Sequence, residues 1–412
     1  MLAKKTLSII LAASVMCSLT ACQTPGEKSG LPSDVISGIE YPPDEVPGES
    51  SEETDVVAFS EDFDQSMVEF MRKNGYDDRT FVISPLSLRA VSCLLVEGAK
   101  GDTLDQLLEG LDFEDQAAAR AWYERWANTE ETDEFQLELA SSLWNNELSG
   151  KPTFTEEYQA VASDVYGASL QTLPADQLTD AINAWAKEKS HGLISDLNTD
   201  FSEYSNLLFN TLYCKAAWLR PFDEANTKKD KFVYMDGSEA EMDFMEQTNK
   251  FLYTENDGTQ IAAFPLSNGL HLVCFLGNRQ DMFEKMSGLE EAMVHVKMPK
   301  LDLAFGADSM VLMNFLLSRG VEDAFDWRLA DFGGMYEDTG WFVSQMMQGS
   351  RFRITESGIE AAAATGIMMD TTSVMDDDVK EFILNKPFAF SLVSGLGSEE
   401  QTMLFFGQVM NQ

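Results

Sequence analysis

Apolar residues along this chain recur at two different spacings, which predict helices and strands in turn. Between residues 59 and 71 they lie three or four positions apart, as on one face of a helix. The run 81–83 is continuously apolar and predicts a short strand. Ser84-Pro85 then predicts the start of a helix that reaches Val96. The folded region is therefore expected to open with a helix, a strand and a second helix.

The same two spacings continue through the rest of the chain. Residues 182–191 have the pattern of an amphipathic helix that Gly192 ends. Residues 206–215 are mostly apolar and predict a buried strand. Residues 390–393 and 404–411 predict the strands of a closing hairpin.

The segment 356–376 fits more than one structure. Four consecutive alanines, 361–364, favour a helix because alanine is the best helix former. Gly358 and Gly366 bracket them, however, and no apolar stripe recurs at helical spacing. In an extended strand every charge would fall on one face, and Ile359 would begin an apolar face. An exposed loop fits equally well, so the segment is a candidate two-state element.

Composition and charge narrow the possible partners. The chain has 412 residues, 44% of them hydrophobic, which is enough for a large core in one domain or several. Its 29 basic and 69 acidic residues give a net charge of −40. This charge argues against nucleic acid and anionic membrane surfaces and favours basic partners. Solubility alone is an equally good reason for the acidity.

The N-terminal region predicts export and lipid anchoring. Residues 1–21 combine Lys4 and Lys5 with an apolar stretch too short to span a membrane. The sequence 19–22 is similar to a bacterial lipoprotein processing site, so Cys22 is expected to carry lipid. Each buried CH₂ contributes about 0.8 kcal/mol, and more than one acyl chain gives stable anchoring. The alternative is a secretory signal with an incidental cysteine.

A tether is expected to follow Cys22. Residues 22–56 contain five of the chain's 12 prolines and an acidic run, and such a composition cannot bury enough apolar surface to fold. The folded domain is therefore predicted to span 57–412. Its three cysteines, Cys93, Cys214 and Cys274, are widely spaced and odd in number, which predicts buried core thiols rather than disulfides.

Motifs for catalysis are absent from the sequence. His191, His271 and His295 are its three histidines, and none lies in H-E-x-x-H. There is no G-x-S-x-G elbow, Walker loop or metal-ligand cluster. The chain is therefore not expected to be an enzyme or to need a cofactor or metal.

Glu356-x-Gly358-x-Glu360, followed by four alanines and Thr365, resembles the hinge of the reactive-centre loop in inhibitory serpins. Further segments similar to serpins follow in the same order along nearly all of the chain: 84–87, 98–103, 182–192, 206–222, 236–239, 296–301 and 320–332. The resemblance implies a single α+β domain with a large central mixed sheet, smaller sheets and about nine helices. It also implies an exposed reactive-centre loop at about 356–380.

The resemblance also implies roles for individual residues. The hinge comprises Glu356, Gly358, Ile359, Glu360, Ala361, Ala362, Ala363, Ala364 and Thr365. The residues at the sheet centre and beneath the point of insertion are Ser84, Ser87, Asn210, Trp218 and Gln348. Gln348 stands where many serpins have a histidine, and its amide can still donate and accept, so the network is expected to persist without pH sensitivity. Ile359 replaces the usual threonine or serine and is uncharged, so insertion is expected to remain possible.

The scissile bond follows from the family's spacing. Counting sixteen residues from Glu356 points to Thr372–Ser373, with Met369, Asp370 and Met375 as alternatives. Small or unbranched apolar residues suit an elastase-like pocket. No Arg or Lys lies between Arg353 and Lys380, which argues against trypsin-like proteases.

The implied function is suicide-substrate inhibition of a serine protease. The protease attacks one loop bond and forms an acyl intermediate, and the cut loop then enters the central sheet as a new strand before water releases the enzyme. Two alternatives remain: a non-inhibitory serpin that acts as a binding protein or protease substrate, and a surface lipoprotein that binds solutes or hydrolyses polymers. The expected partner is a cationic, elastase-like serine protease. The protein is expected to be a monomer, lipid-anchored on the bacterial surface or secreted, with its lipid as the only membrane contact.

Overall fold

The computed structural model describes residues 63–147, 153–194, 197, 199–307, 309–337, 340–360, 379–398 and 400–411. The chain divides into two units, Met1–Ala58 and Phe59–Gln412, and every described residue belongs to the second. The signal, Cys22 and the tether lie outside the described residues, so these predictions stay predictions. None of the described helices is long and apolar enough to cross a membrane.

Seven α-helices lie within these ranges, against about nine expected for the whole chain. They are α1 (Phe63–Met71), α2 (Pro85–Gly98), α3 (Gly101–Gly110), α4 (Gln116–Ala127), α5 (Glu156–Asp164), α6 (Ala175–Lys189) and α7 (Ser309–Ser318). Side-chain caps fix several starts, because the first backbone N–H groups of a helix have no partner inside it. Ser84 accepts from the N–H of Ser87 at the start of α2, and Asp115 accepts from Ala118 at the start of α4.

Fifteen strands, β1 to β15, form two sheets in the described chain. In order they are Phe81–Ile83, Phe135–Asn146, Ser169–Leu173, Asn206–Ala217, Lys228–Val233, Glu239–Asn256, Thr259–Pro265, Leu270–Gly277, Glu290–Pro299, Leu301–Ala307, Met346–Thr355, Gly358–Ile359, Lys380–Ile383, Phe388–Ser394 and Thr402–Val409. One sheet has the order β1-β15-β14-β8-β7-β6-β9-β13, with β5 paired to β6. The other has the order β10-β11-β12-β4-β2-β3.

The six-stranded sheet is mixed and covered on both faces. β2 runs antiparallel to β4, whereas β3 is parallel to β2 and β11 is parallel to β4. Trp185 of α6 packs edge-on against Phe209 of β4 and Trp144 of β2, so α6 lies across one face. Leu143 and Leu208 belong to the large apolar cluster that includes α2, on the other face.

Most element predictions are confirmed. The short strand at residue 81, the helix from Pro85 and the buried strand from Asn206 all form, and the α+β class is correct. The helix expected to end at Gly192 ends at Lys189 instead, because the N–H of Gly192 turns back to bond the carbonyl of Lys187 at 2.7 Å. Three free, buried thiols are also confirmed: Cys93, Cys214 and Cys274.

Candidate functional site

The six-stranded sheet opens at its centre. β4 and β11 pair in parallel over residues 208–211 and 346–349 and then separate. Residues 212–215 of β4 and 350–353 of β11, all of them described, form no ladder with each other. We call these two facing stretches the fork. Above it lies β12, which pairs antiparallel with both β11 and β4 and so occupies the place of a missing central strand.

Gly358 allows β12 to enter this place. Its φ of +146° lies in the region that L side chains rarely adopt. A Cβ there would lie 2.2 Å from the carbonyl oxygen of Ala216 and 2.8 Å from the Cα of Ala217. Because both are backbone atoms of β4, the close approach of the two strands requires glycine.

Trp218 holds the turn that precedes β12. Its indole Nε1 donates to the carbonyl of Thr355 at 2.9 Å, and its backbone N–H donates to the carbonyl of Ser357 at 3.0 Å. The ring packs edge-on against Phe222 and Phe264. The structure therefore places Trp218 directly against the turn that precedes β12.

Glu356 fixes the other side of the same turn. The residue is 9% exposed, and its carboxylate lies 2.8 Å from Lys300 Nζ and accepts from Thr227 Oγ1 at 2.8 Å. Burial alone would raise the pKa of this carboxyl, but Lys300 and the hydrogen bonds lower it below its usual value. The sequence analysis gave no role to Lys300 or Thr227, because both lie far from Glu356 along the chain and no local pattern indicates the contact.

The side chains of Ile359 and Glu360 are both buried, which corrects the alternation expected of a strand. Ile359 is 1% exposed and belongs to the apolar cluster that contains Phe352 and Trp218. The side chain of Glu360 is only 6% exposed, because its φ of +49° turns the chain out of the extended conformation. Its N–H donates to the carbonyl of Arg353 at 3.2 Å, at the end of the fork nearest β12. We call this end the head of the fork.

Ser84 and Gln348 join three elements below the fork. The Gln348 amide accepts from the N–H of Ser84 at 2.9 Å and donates to its carbonyl at 2.8 Å. The hydroxyl of Ser84 donates to the carbonyl of Leu404 at 2.6 Å and caps α2 through Ser87. Glutamine thus ties β11 to α2 and β15 without an ionisable group.

Asn210 lies beside Gln348 but bonds a different residue. It faces Gln348 in the β4–β11 register, yet its amide donates to the hydroxyl of Ser141 on β2 at 3.0 Å. Its Oδ1 is buried and without a hydrogen-bond partner within the described part of the chain. The five expected residues therefore have three sets of partners: Ser84 bonds Ser87 and Gln348, Asn210 bonds Ser141, and Trp218 bonds the hinge turn. Ser141 was missed because nothing in its sequence context marks it.

A segment after α6 crosses the fork. We call residues 190–194 the strap. The Leu193 carbonyl accepts from Arg351 Nη1 of β11 at 2.6 Å. His191 Nε2 lies 2.7 Å from Glu138 Oε1 of β2, and its ring contacts Tyr213 of β4 at a tilt of 31°, with centroids 4.1 Å apart. The strap is thus fastened to strands on both sides of the fork.

The remaining predicted site residues lie outside the described residues: Ala361, Ala362, Ala363, Ala364 and Thr365 of the hinge, and Met369, Asp370, Thr372, Ser373 and Met375 around the scissile bond. Within the described ranges, no group of three His, Cys, Asp or Glu side chains could hold a metal ion. The described part of the site therefore consists of the strand pairing around the fork and the side chains that hold the turn before β12.

Comparison with known proteins adds an independent finding. A family model described as Serpin (serine protease inhibitor) matches residues 59–412. Serpin B13 from Homo sapiens is 29% identical over 373 residues, covering 81% of this chain and 93% of that protein. The native structure of the thermophilic serpin tengpin matches with a TM-score of 0.72 and 22% identity, covering 84% and 92%. Thyroxine-binding globulin in complex with thyroxine matches with 0.70 and 18%, covering 83% and 95%. At such identities these two structures show the fold alone.

Proposed function

This chain belongs to the serpin family, and on that premise we propose that it is a suicide-substrate inhibitor of serine proteases. The fork carries the proposal. A strand that continued from β12 would find β4 on one side and β11 on the other, along residues 212–215 and 350–353 that form no ladder with each other. A protease still acylated to a cut loop would be carried along by that insertion.

The energy for trapping comes from completing the sheet. On the order of ten new hydrogen bonds at about 1 kcal/mol each supply on the order of 10 kcal/mol. Apolar burial adds to this. The uncut state is then held by a kinetic barrier rather than by its free energy.

The loop composition supports an elastase-like target. Thr372–Ser373 is the proposed scissile bond, and Met369, Asp370 and Met375 are its alternatives. Small or unbranched apolar residues suit an elastase-like specificity pocket, while the lack of Arg and Lys between 353 and 380 disfavours a trypsin-like one. The net charge of −40 favours a cationic enzyme.

The location follows from the N-terminal sequence. We propose that the protein is exported, that Cys22 carries the lipid, and that residues 23–56 tether a monomeric inhibitor to a bacterial surface. Radiolabelled palmitate should enter the wild-type chain and not the Cys22→Ala variant. Label in both chains, or in neither, contradicts the anchor.

The decisive test is a gel after incubation with a cationic elastase-like serine protease. We expect a complex that survives denaturation, together with a higher melting temperature for the cleaved inhibitor. Ala363→Arg places a charge in the hinge and should convert the inhibitor into a substrate. Ala117→Arg, on the exposed face of α4, is the matched control and should still form the complex.

Two outcomes would contradict the proposal. Cleavage with a gain in melting temperature but no complex indicates a non-inhibitory member of the family. Cleavage without any thermal gain excludes strand insertion altogether and indicates a serpin that acts as a binding protein or a plain protease substrate.

A further inference from the structure

We propose that the protonation state of Glu360 controls the position of the hinge in the uncut protein. Its ionised carboxylate favours release of the hinge from the head of the fork, and its protonation favours the seated position that the structure shows. This inference concerns the uncut chain, and only its consequence for inhibition rests on the proposed function.

Neighbouring residues pull the hinge in opposite directions. Ile359 is 1% exposed, and this burial draws the hinge into the core. Glu360 follows with a side chain 6% exposed on a backbone at φ +49°, a conformation that costs a non-glycine residue energy. Burying a charge is expensive unless it is paired and hydrogen-bonded. Burial of Ile359 therefore favours the seated hinge, whereas burial of the charged Glu360 side chain opposes it.

The carboxylate of Glu360 is poorly neutralised. Its Oε2 lies 3.6 Å from Arg353 Nη1, too far for a hydrogen bond, and among the residues that the structure describes its buried Oε1 has no partner. The nearby guanidiniums are already engaged by Asp302 on β10. Arg351 binds Asp302 at 2.7 and 2.8 Å, and Arg353 binds it at 3.1 Å.

The other groups that face Glu360 do not supply a counter-charge. On β4 these are Tyr213 and Cys214, and burial raises the pKa of both, with Glu360 adding to the shift. Beyond Tyr213 lie His191 of the strap and Glu138 of β2, which pair with each other at 2.7 Å. His191 is therefore the competing titratable group that an experiment must exclude.

The direction of the pH dependence follows from the burial. Desolvation raises the pKa of Glu360 above its ordinary value of 4.5, Arg353 and Arg351 oppose this, and Asp302 adds to it. In a released hinge the carboxyl would return to its ordinary pKa. The seated hinge is therefore favoured as pH falls through the raised pKa, and this advantage is lost as pH rises. Within that window the ratio of the two positions changes by up to about tenfold per pH unit.

The test follows Trp218, whose indole and backbone N–H both bond the hinge turn. The uncut full chain is labelled with 5-fluorotryptophan, and the Trp218→Phe variant assigns the resonance. We expect that ¹⁹F signal to titrate with a midpoint above pH 4.5, the ordinary carboxyl value. Glu360→Gln should hold the acid-form position at every pH, and its thermal unfolding confirms that it is folded.

Two further variants separate this mechanism from a merely structural role. Asp302→Asn releases Arg351 and Arg353, which can then neutralise Glu360, so the midpoint should move to lower pH. His191→Gln removes the imidazole and should leave the titration in place. A signal that does not titrate, that still titrates in Glu360→Gln, or that is lost in His191→Gln overturns the proposal. No protease is present, so failure here is distinct from failure to inhibit.

Discussion

A single missing side chain permits the hinge to sit between β4 and β11. Gly358→Ala would place a methyl group against the Ala216 carbonyl in a disfavoured backbone conformation. We expect it to lower the free energy of unfolding by about 1–3 kcal/mol, measured in urea. Gly397→Ala is the matched control, because its φ is also positive, at +78°, but nothing lies within 4 Å of its Cβ. Equal losses in both variants would remove the steric argument.

A second prediction concerns the pair that anchors the turn. Lys300→Met leaves Glu356 without its counter-charge, and we expect a loss of about 1–2 kcal/mol at pH 7, discounted because Lys300 is 37% exposed. The folded pKa of Glu356 is lowered, so its contribution is present above the ordinary value of 4.5 and lost as pH falls through the lower one. Unfolding free energies measured across that acid range should therefore fall less steeply in the variant.

The control for this prediction is Lys250→Met. Lys250 and Glu291 lie 3.6 Å apart and are 60% and 64% exposed, so solvent screens them. A loss of stability in Lys250→Met as large as that in Lys300→Met would contradict the anchoring role of Lys300.

For single residues, the sequence predicted which residues belong to the site better than it predicted their contacts. The motif around Gly358 and the position of Trp218 were recognisable, whereas the partner of Glu356 and the burial of Glu360 were not. Strand alternation assumes an extended backbone, and one residue at positive φ breaks it. Such a departure depends on what surrounds the residue in space.

Among the elements, the strap contacts strands on both sides of the fork. His191→Ala removes both the Glu138 contact and the ring contact with Tyr213. We expect the amide hydrogens of residues 187–194 to exchange several-fold faster, as seen by mass spectrometry, because local opening follows the loss of such contacts. His295→Ala is the control, since His295 contacts Thr248 in the other sheet. Unchanged exchange in the strap would show that Arg351 alone fastens it.

The fork itself could not be predicted from local pattern. Periodicity indicated that residues 206–215 form a buried strand, and it was right. It carries no information on whether a strand's partner follows it to the end, because the partner, β11, lies more than a hundred residues later. The expectation of an open sheet came from family resemblance.

For the whole molecule, charge is the dominant property. A net charge of −40 should steer a basic protease towards this protein over distances longer than any contact. We expect the association rate with a basic elastase-like enzyme, measured by stopped flow, to fall steeply as sodium chloride is added. An acidic protease of the same specificity should show the opposite trend. A rate independent of salt would leave solubility as the only role of the charge.

The fork also bears on how any preparation of this protein is judged. Its facing strand edges, 212–215 and 350–353, give the folded chain a way to gain hydrogen bonds without a change of sequence. If the proposed strand insertion occurs, the melting temperature of a sample depends on its storage and its exposure to protease as well as on its amino acids. Age, storage temperature and traces of protease then belong beside every such value, and a batch whose melting temperature rises in storage is expected to contain less active inhibitor.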